Sequence, residues 1–438
     1  MNHKALAAVV GVALAARLVT SLFRITYGIV PVPFVGPTPW ADYNVYVSEL
    51  HFVAQGYLPY RDFSFNYMPL FLYALLPFYL LIGTYGASLA IVLSDALTAG
   101  LIYLIVLKRH KPDLALATGL AYALLPFALY NEGYLWLSSQ PMTFFTIFSL
   151  YLLIENRAYL SFGALAFAVL FKQESIVLLP AFFLWEYRNG FVRALKGTAV
   201  FVATVLAASI PFLVVSANNF LYSVSYTIAK IGPLSPVVET VFRAGNEGLP
   251  SNLTCVNSVI LGQFTGQVCS AANLLRLSWI VSQPIANRVA VSFESFLAIL
   301  LPVFVALLFV SLYSVRQNDN FLQLASSTLM VAILVAFGSL VHGLLGYYFV
   351  PVYALILSSA RDGRTFALAF VGSFVSILVP EGVFQALLPV AVLLALITVE
   401  DIGSVTSKNS RLHEHAEPRP GSSESTADLG GTSWPVDP

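Results

Sequence analysis

Charge is what this sequence has least of. Only 10% of its 438 residues are Asp, Glu, Lys or Arg, against about 25% in soluble domains. The 22 basic and 22 acidic residues cancel, so no basic face invites nucleic acid, and none is expected as a partner. No P-loop, no GxGxxG fingerprint before a helix and no His/Cys metal spacing occurs. No repeat suggests paired transporter halves. A soluble catalytic domain is missing altogether.

What fills the chain is apolar. Hydrophobic residues make up 58%, and mean hydropathy is +0.80. A soluble protein could not cover that much apolar surface, so the chain reads as an all-α polytopic membrane protein. Apolar runs cover 5–23, 68–83, 87–107, 114–130, 139–154, 158–171, 174–187, 194–215, 291–315, 321–340, 343–360, 365–379 and 382–399. Spanning takes roughly 20 residues, so not every run is an independent crossing, and a bundle of about 11–13 transmembrane helices is expected. Run 5–23 lacks a small-residue cleavage site and is read as a retained first span rather than a signal peptide.

Positive-inside counting orients the runs. The basic clusters are Lys108-Arg109-His110-Lys111, Arg157, Arg188 with Arg193 and Lys196, Arg316, and Arg361 with Arg364. All fall on one side if 68–83, interrupted by Pro69 and Pro77, does not cross fully and if 158–187 crosses twice. The alternative, in which 68–83 crosses and 158–187 crosses once, puts residues 108–111 and Arg157 outside. The first topology is preferred, with both termini cytoplasmic.

That topology divides the chain into a membrane module at 1–215 with a first outer loop at 24–67, an extracytoplasmic loop at 216–290, further spans at 291–401, and a disordered cytoplasmic tail at 402–438. The tail is rich in Ser, Gly, Pro and charge. Loop 216–290 holds both cysteines, Cys255 and Cys269, and an Asn252-Leu253-Thr254 glycosylation sequon. On an oxidising side of the membrane the two thiols are expected to form a disulfide.

The first outer loop is polar and acidic. As a helix, residues 42–55 put Tyr43, Val47, Leu50 and Ala54 on an apolar stripe and Asn44, Ser48, His51 and Gln55 on a polar face. Asp42 and Glu49, seven apart, share a third edge with Tyr46. Such a helix lies along the outer leaflet and holds two carboxylates where membrane meets water.

Beyond it stand Gly56-Tyr57-Leu58-Pro59-Tyr60-Arg61-Asp62-Phe63 and Tyr67-Met68-Pro69-Leu70. With an acidic residue after the first span, this order resembles the GT-C glycosyltransferases. Similar families include protein O-mannosyltransferases, aminoarabinose transferases and mycobacterial-type mannosyltransferases. The second motif departs from the family at Met68, where a first proline is usual. The likeness covers roughly 1–215 and extends to Phe171-Lys172-Gln173, with a weaker echo at 338–360 in His342, Gly346-Tyr347-Tyr348 and Pro351.

The resemblance implies a GT-C-like bundle that moves a sugar from a polyprenyl-phosphate donor to an acceptor hydroxyl on the extracytoplasmic face of the cell membrane. The sugar would be a hexose, mannosyl or glucosyl; the acceptor, a lipid, a glycan or a protein, stays open. Asp42 is the candidate general base. The leaving phosphate needs a cation, and Lys172, between two apolar runs, is the first choice. Arg61, His342, Glu49, Asp62 and Tyr347 complete the expected donor and substrate contacts. Glu174 is the alternative partner of Lys172, in a structural ion pair. Glu132 and Gln140 flank an outer turn and are read as surface polarity rather than sugar ligands. Arg17, inside the first span, needs a partner that the sequence does not name. With one strong acid, no metal or other cofactor is expected. The competing class is a multi-pass transporter of a lipid-linked or small polar substrate. It accounts for the spans and for Arg17, Asp95, Lys172 and Glu174, but not for an amphipathic outer loop carrying the acids.

Overall fold

The computed structural model describes residues 3–28, 40–63, 65, 67–137, 139–225, 325–326, 328–329, 346–378, 388–389 and 391–392. Cys255, Cys269, Asn252, His342, Arg316 and the tail at 402–438 lie outside them. Among the described residues the structure is helical, with no strand beyond an isolated bridge between Pro59 and Phe63.

Four stretches are long and apolar enough to cross a membrane: α1 (His3–Tyr27), α4 (Thr84–Arg109), Pro112–Tyr134 and Phe191–Leu221. The third contains α5 (Pro112–Ala123), α6 (Pro126–Ala128) and a π-helical turn at Leu129–Tyr134. The fourth lies in α10 (Phe191–Ser225), which holds Pro211 and breaks its helical geometry at Ser216. Shorter apolar helices are α3 (Leu70–Ile82), α7 (Ser139–Ile154), α8 (Ala158–Phe171), α9 (Leu179–Tyr187), α11 (Val350–Ser358) and α12 (Gly363–Leu378). The polar helix α2 (Trp40–Ala54) stands between α1 and α3.

The 13 residues of α3 reach only about 20 Å at 1.5 Å per residue, short of a hydrocarbon core of about 30 Å. The chain then reverses at Gly83, whose φ of 70° suits glycine, and α3 packs back on α4.

Region 158–187 folds back on itself. Helix α8 ends at Phe171, Lys172 is extended, and a 3-10 turn at Gln173–Leu178 leads into α9. At the near end, Arg193 is 2.6 Å from Glu186 and donates to the Asn156 carbonyl at 3.3 Å. Residues before α8 and after α9 therefore share one end. Lys108 pairs with Glu155 there at 2.7 Å. Burial, Arg109 and Arg361 hold His110 below the usual histidine range, so the start of α12 is close by as well. Thus four of the five basic clusters gather at one end of the helices. Lys172, 14 residues along α8, lies about 20 Å from that end.

Candidate functional site

The Pro-Tyr-Arg-Asp-Phe stretch folds into a tight turn held by its own groups. Asp62 Oδ2 accepts from Leu58 N–H at 2.8 Å, and Asp62 N–H donates to the Leu58 carbonyl at 2.9 Å. Tyr60 takes a positive φ of 67°, costly for a residue with a side chain. It is held there by complete burial and by a bond from its hydroxyl to the Tyr67 carbonyl at 2.6 Å. Burial first, then Glu49 and Tyr73, push that hydroxyl well above the usual tyrosine range, so it remains a donor. Arg61 lies outward, half exposed, with both its bonds at 2.7 Å on Asp62. No contact joins Arg61 or Asp62 to Lys172 among the described residues; their visible task is the turn.

Helix α2 sits differently from its expected orientation. Its buried arc is Tyr43, Tyr46, Glu49, Leu50 and Val53, while Ala54 is exposed. The edge of Tyr46 and Glu49 thus faces protein rather than the membrane surface. Aromatic packing decides the rotation. Tyr46 stacks edge-on against Phe71 at 5.1 Å and shares a 3.0 Å hydroxyl contact with Tyr67. Tyr43 packs on Trp136 at 4.9 Å, and its hydroxyl donates to the Thr84 carbonyl. Glu49 turns inward beside Tyr60. Asp42 stands one turn before Tyr46 on the same helix; its side chain is outside the described atoms.

Lys172 is buried, 2% exposed. Its ammonium is 3.0 Å from Glu174 Oε1 and lies over three rings, Tyr348 at 4.1 Å, Tyr347 at 4.7 Å and Tyr67 at 5.6 Å. Each ring face attracts a cation, by up to about 2 kcal/mol when water is excluded. Two segments far apart in sequence, 67 and 347–348, therefore converge on the lysine. Ser139 ties in a third, donating to the Tyr347 carbonyl at 3.0 Å. Lys172 and Tyr347 are thus together, and the Tyr46–Tyr67 contact links them to the helix that carries Asp42 and Glu49.

Glu132 and Gln140, expected on the surface, are completely buried. Glu132 lies in the π-helical turn, an insertion that recurs at functional sites. Gly133 lets this turn press onto α1, since a Cβ there would collide with Thr20 Oγ1. Ser21 donates to the Gly133 carbonyl at 2.8 Å and Arg24 to the Tyr134 carbonyl at 3.0 Å, satisfying groups that a helix end leaves open. Arg24 also lies 3.9 Å over the Trp136 ring.

Arg17 has its partner in Asp95. Its Nε donates to Asp95 Oδ2, and its other nitrogens bond the Ala123 and Tyr122 carbonyls. Tyr122 donates to Asp95 Oδ1 at 2.7 Å, and Gln140 to the Tyr122 hydroxyl at 3.3 Å.

Among the described residues no three His, Cys, Asp or Glu side chains group closely enough to hold a metal ion. No family model and no curated protein matches the chain.

Proposed function

We propose that this membrane protein is a glycosyltransferase that moves a hexose, mannosyl or glucosyl, from a polyprenyl-phosphate donor to an acceptor hydroxyl, within a GT-C-like bundle of about 11–13 spans. The observation that carries the reading is Lys172, a buried cation on a helix break about 20 Å from the basic end. Positive-inside counting assigns the basic end to the cytoplasm, and on this reading the helix break at Lys172 is reached from the opposite, extracytoplasmic side.

The chemistry follows from charge. As the glycosidic carbon–oxygen bond breaks, its electron pair goes to the phosphate oxygen, and Lys172 neutralises the growing charge where lipid would otherwise strand it. The acceptor hydroxyl attacks the anomeric carbon, and its proton goes to the Asp42 carboxylate. The rings of Tyr67, Tyr347 and Tyr348 pack over the lysine and help keep water from it. Support for one site comes from the Tyr46–Tyr67 contact, which links the Asp42 helix to the lysine cage.

The test is incubation of purified protein with labelled polyprenyl-phosphate hexoses. Release of polyprenyl phosphate with transfer or hydrolysis of one sugar, lost in Lys172→Ala, is expected. Movement of labelled substrate into vesicles without any bond cleavage would replace the enzyme with a transporter.

A further inference from the structure

Glu132 is a carboxylate inside the helical assembly, 0% exposed. Neither of its oxygens accepts a hydrogen bond among the described residues. The neighbouring polar groups are otherwise engaged. Arg17 is spent on Asp95 and on backbone carbonyls, Arg24 caps the end of the π-helical turn, and Lys172 holds Glu174. Asn131, next in the turn, donates back to the Phe127 carbonyl at 2.9 Å. Leaving a buried carboxylate without donors opposes folding. Yet the turn that carries it is fixed at Gly133, Tyr134 and Leu135 by Ser21 and Arg24.

Three charged groups act on Glu132: Asp95, Lys172 and Arg17. It is therefore close to the lysine cage, and the segment that follows it reaches that cage through the Ser139–Tyr347 bond. Lys172 acts on Glu132 electrostatically, and neither Glu132 oxygen has a hydrogen-bond partner among the described residues. A glycosyl phosphate has the complementary chemistry, a phosphate and, within a few bonds, several hydroxyl donors.

We infer that Glu132 is the sugar-reading residue of the site, accepting hydrogen bonds from ring hydroxyls of the hexose whose phosphate sits on Lys172. This rests on the glycosyltransferase reading above. Out of water, two acceptor oxygens reject any ligand that leaves them unpaired, and sites built to hydrogen-bond a hydroxyl discriminate by about 10⁴-fold or more against analogues lacking it.

The experiment compares two probes on the full-length protein in detergent: polyprenyl-phosphate hexose and the same polyprenyl phosphate without sugar. Glu132→Ala should bind the glycosylated lipid at least tenfold more weakly and the bare phosphate unchanged. Lys172→Ala should weaken both. Without ligand, Glu132→Leu should unfold at a higher temperature than wild type, because an unsatisfied carboxylate has become apolar. Equal loss for both probes in Glu132→Ala, or no loss for either, overturns the sugar-reading role. A Glu132→Leu protein that unfolds earlier shows a structural partner and overturns it too. If Lys172→Ala leaves both affinities intact, it is the glycosyltransferase reading that fails.

Discussion

Arg17 with Asp95 and Lys172 with Glu174 are both buried ion pairs, yet their surroundings differ. In the first, both Asp95 oxygens and all three Arg17 nitrogens are bonded, through Tyr122, Ala123 and Ala13. In the second, Glu174 Oε2 has no hydrogen-bond partner among the described residues; nor has either oxygen of Glu132, on which Asp95, Lys172 and Arg17 all act. The Lys172 ammonium faces tyrosine rings that attract it. An ion pair whose nitrogens and oxygens are all bonded holds helices α1, α4 and α5 together. One with an acceptor left open next to a cation is where the proposed donor would bind.

The contrast breaks first on stability. Asp95→Ala strands Arg17 in the helix contact, and removing one partner of a buried pair costs about 3–5 kcal/mol. Unfolding in detergent should show that loss, and the double change Arg17→Leu with Asp95→Leu should recover most of it. If Asp95→Ala folds as well as wild type but no longer binds donor, the two centres are one site and the contrast disappears.

The next effect is on rate. Asp42→Asn keeps size and removes basicity, and general-base help is worth about 100-fold or more. Turnover should fall by that factor with donor binding intact. Survival above about a tenth of wild-type turnover would remove Asp42 from the chemistry.

Much of this contrast was legible in the sequence. A lysine at the junction of two apolar runs in "VLFKQESIV" pointed to Lys172, and counting basic clusters predicted that 108–111, 157, 188–196 and 361–364 share an end, as the contacts have it. What stayed hidden depends on tertiary contact. The partner of Arg17 is 78 residues away, and no spacing rule reaches that far. The inward turn of Glu49 follows from aromatic rings on α3 and the 60–67 loop, not from the helix's own periodicity. Glu132 left one signal that was passed over: in "ALYNEGYLW" it is a lone acid with no basic residue within four positions. An acid so placed in an apolar stretch is more often inside than out once the stretch spans a membrane.

Glu174 sharpens the comparison on a smaller scale. At 3.0 Å it is the resident counter-ion of Lys172, and a donor phosphate must compete with it. Glu174→Gln keeps the shape and removes the competing charge, so donor affinity should rise on the order of tenfold, or about 1.4 kcal/mol. Titration with polyprenyl-phosphate hexose measures it. A fall in affinity would make Glu174 part of the ligand's own binding set, and a fall in unfolding temperature alone would return the pair to the structural class of Arg17 and Asp95.

The smallest effect belongs to the loop beside the cage. Asp62 is held below the usual aspartate range, mainly by its bond from Arg61 and further by the Leu58 amide. A carboxylate with a lowered folded pKa stabilises the native state above its unfolded pKa, and that contribution is lost as pH falls through the folded value. The turn at 58–62 should therefore keep its shape at neutral pH and through the ordinary carboxylate range, and loosen only on the acid side of it. Arg61 is half exposed, so solvent screens the pair and its contribution is small. Unfolding temperatures of wild type and Asp62→Asn, measured from neutral to strongly acid pH, should differ slightly at neutral pH and converge in acid. An Asp62→Asn protein that unfolds at the higher temperature at neutral pH, with the gap closing in acid, would show instead that the charge on Asp62 opposes the turn.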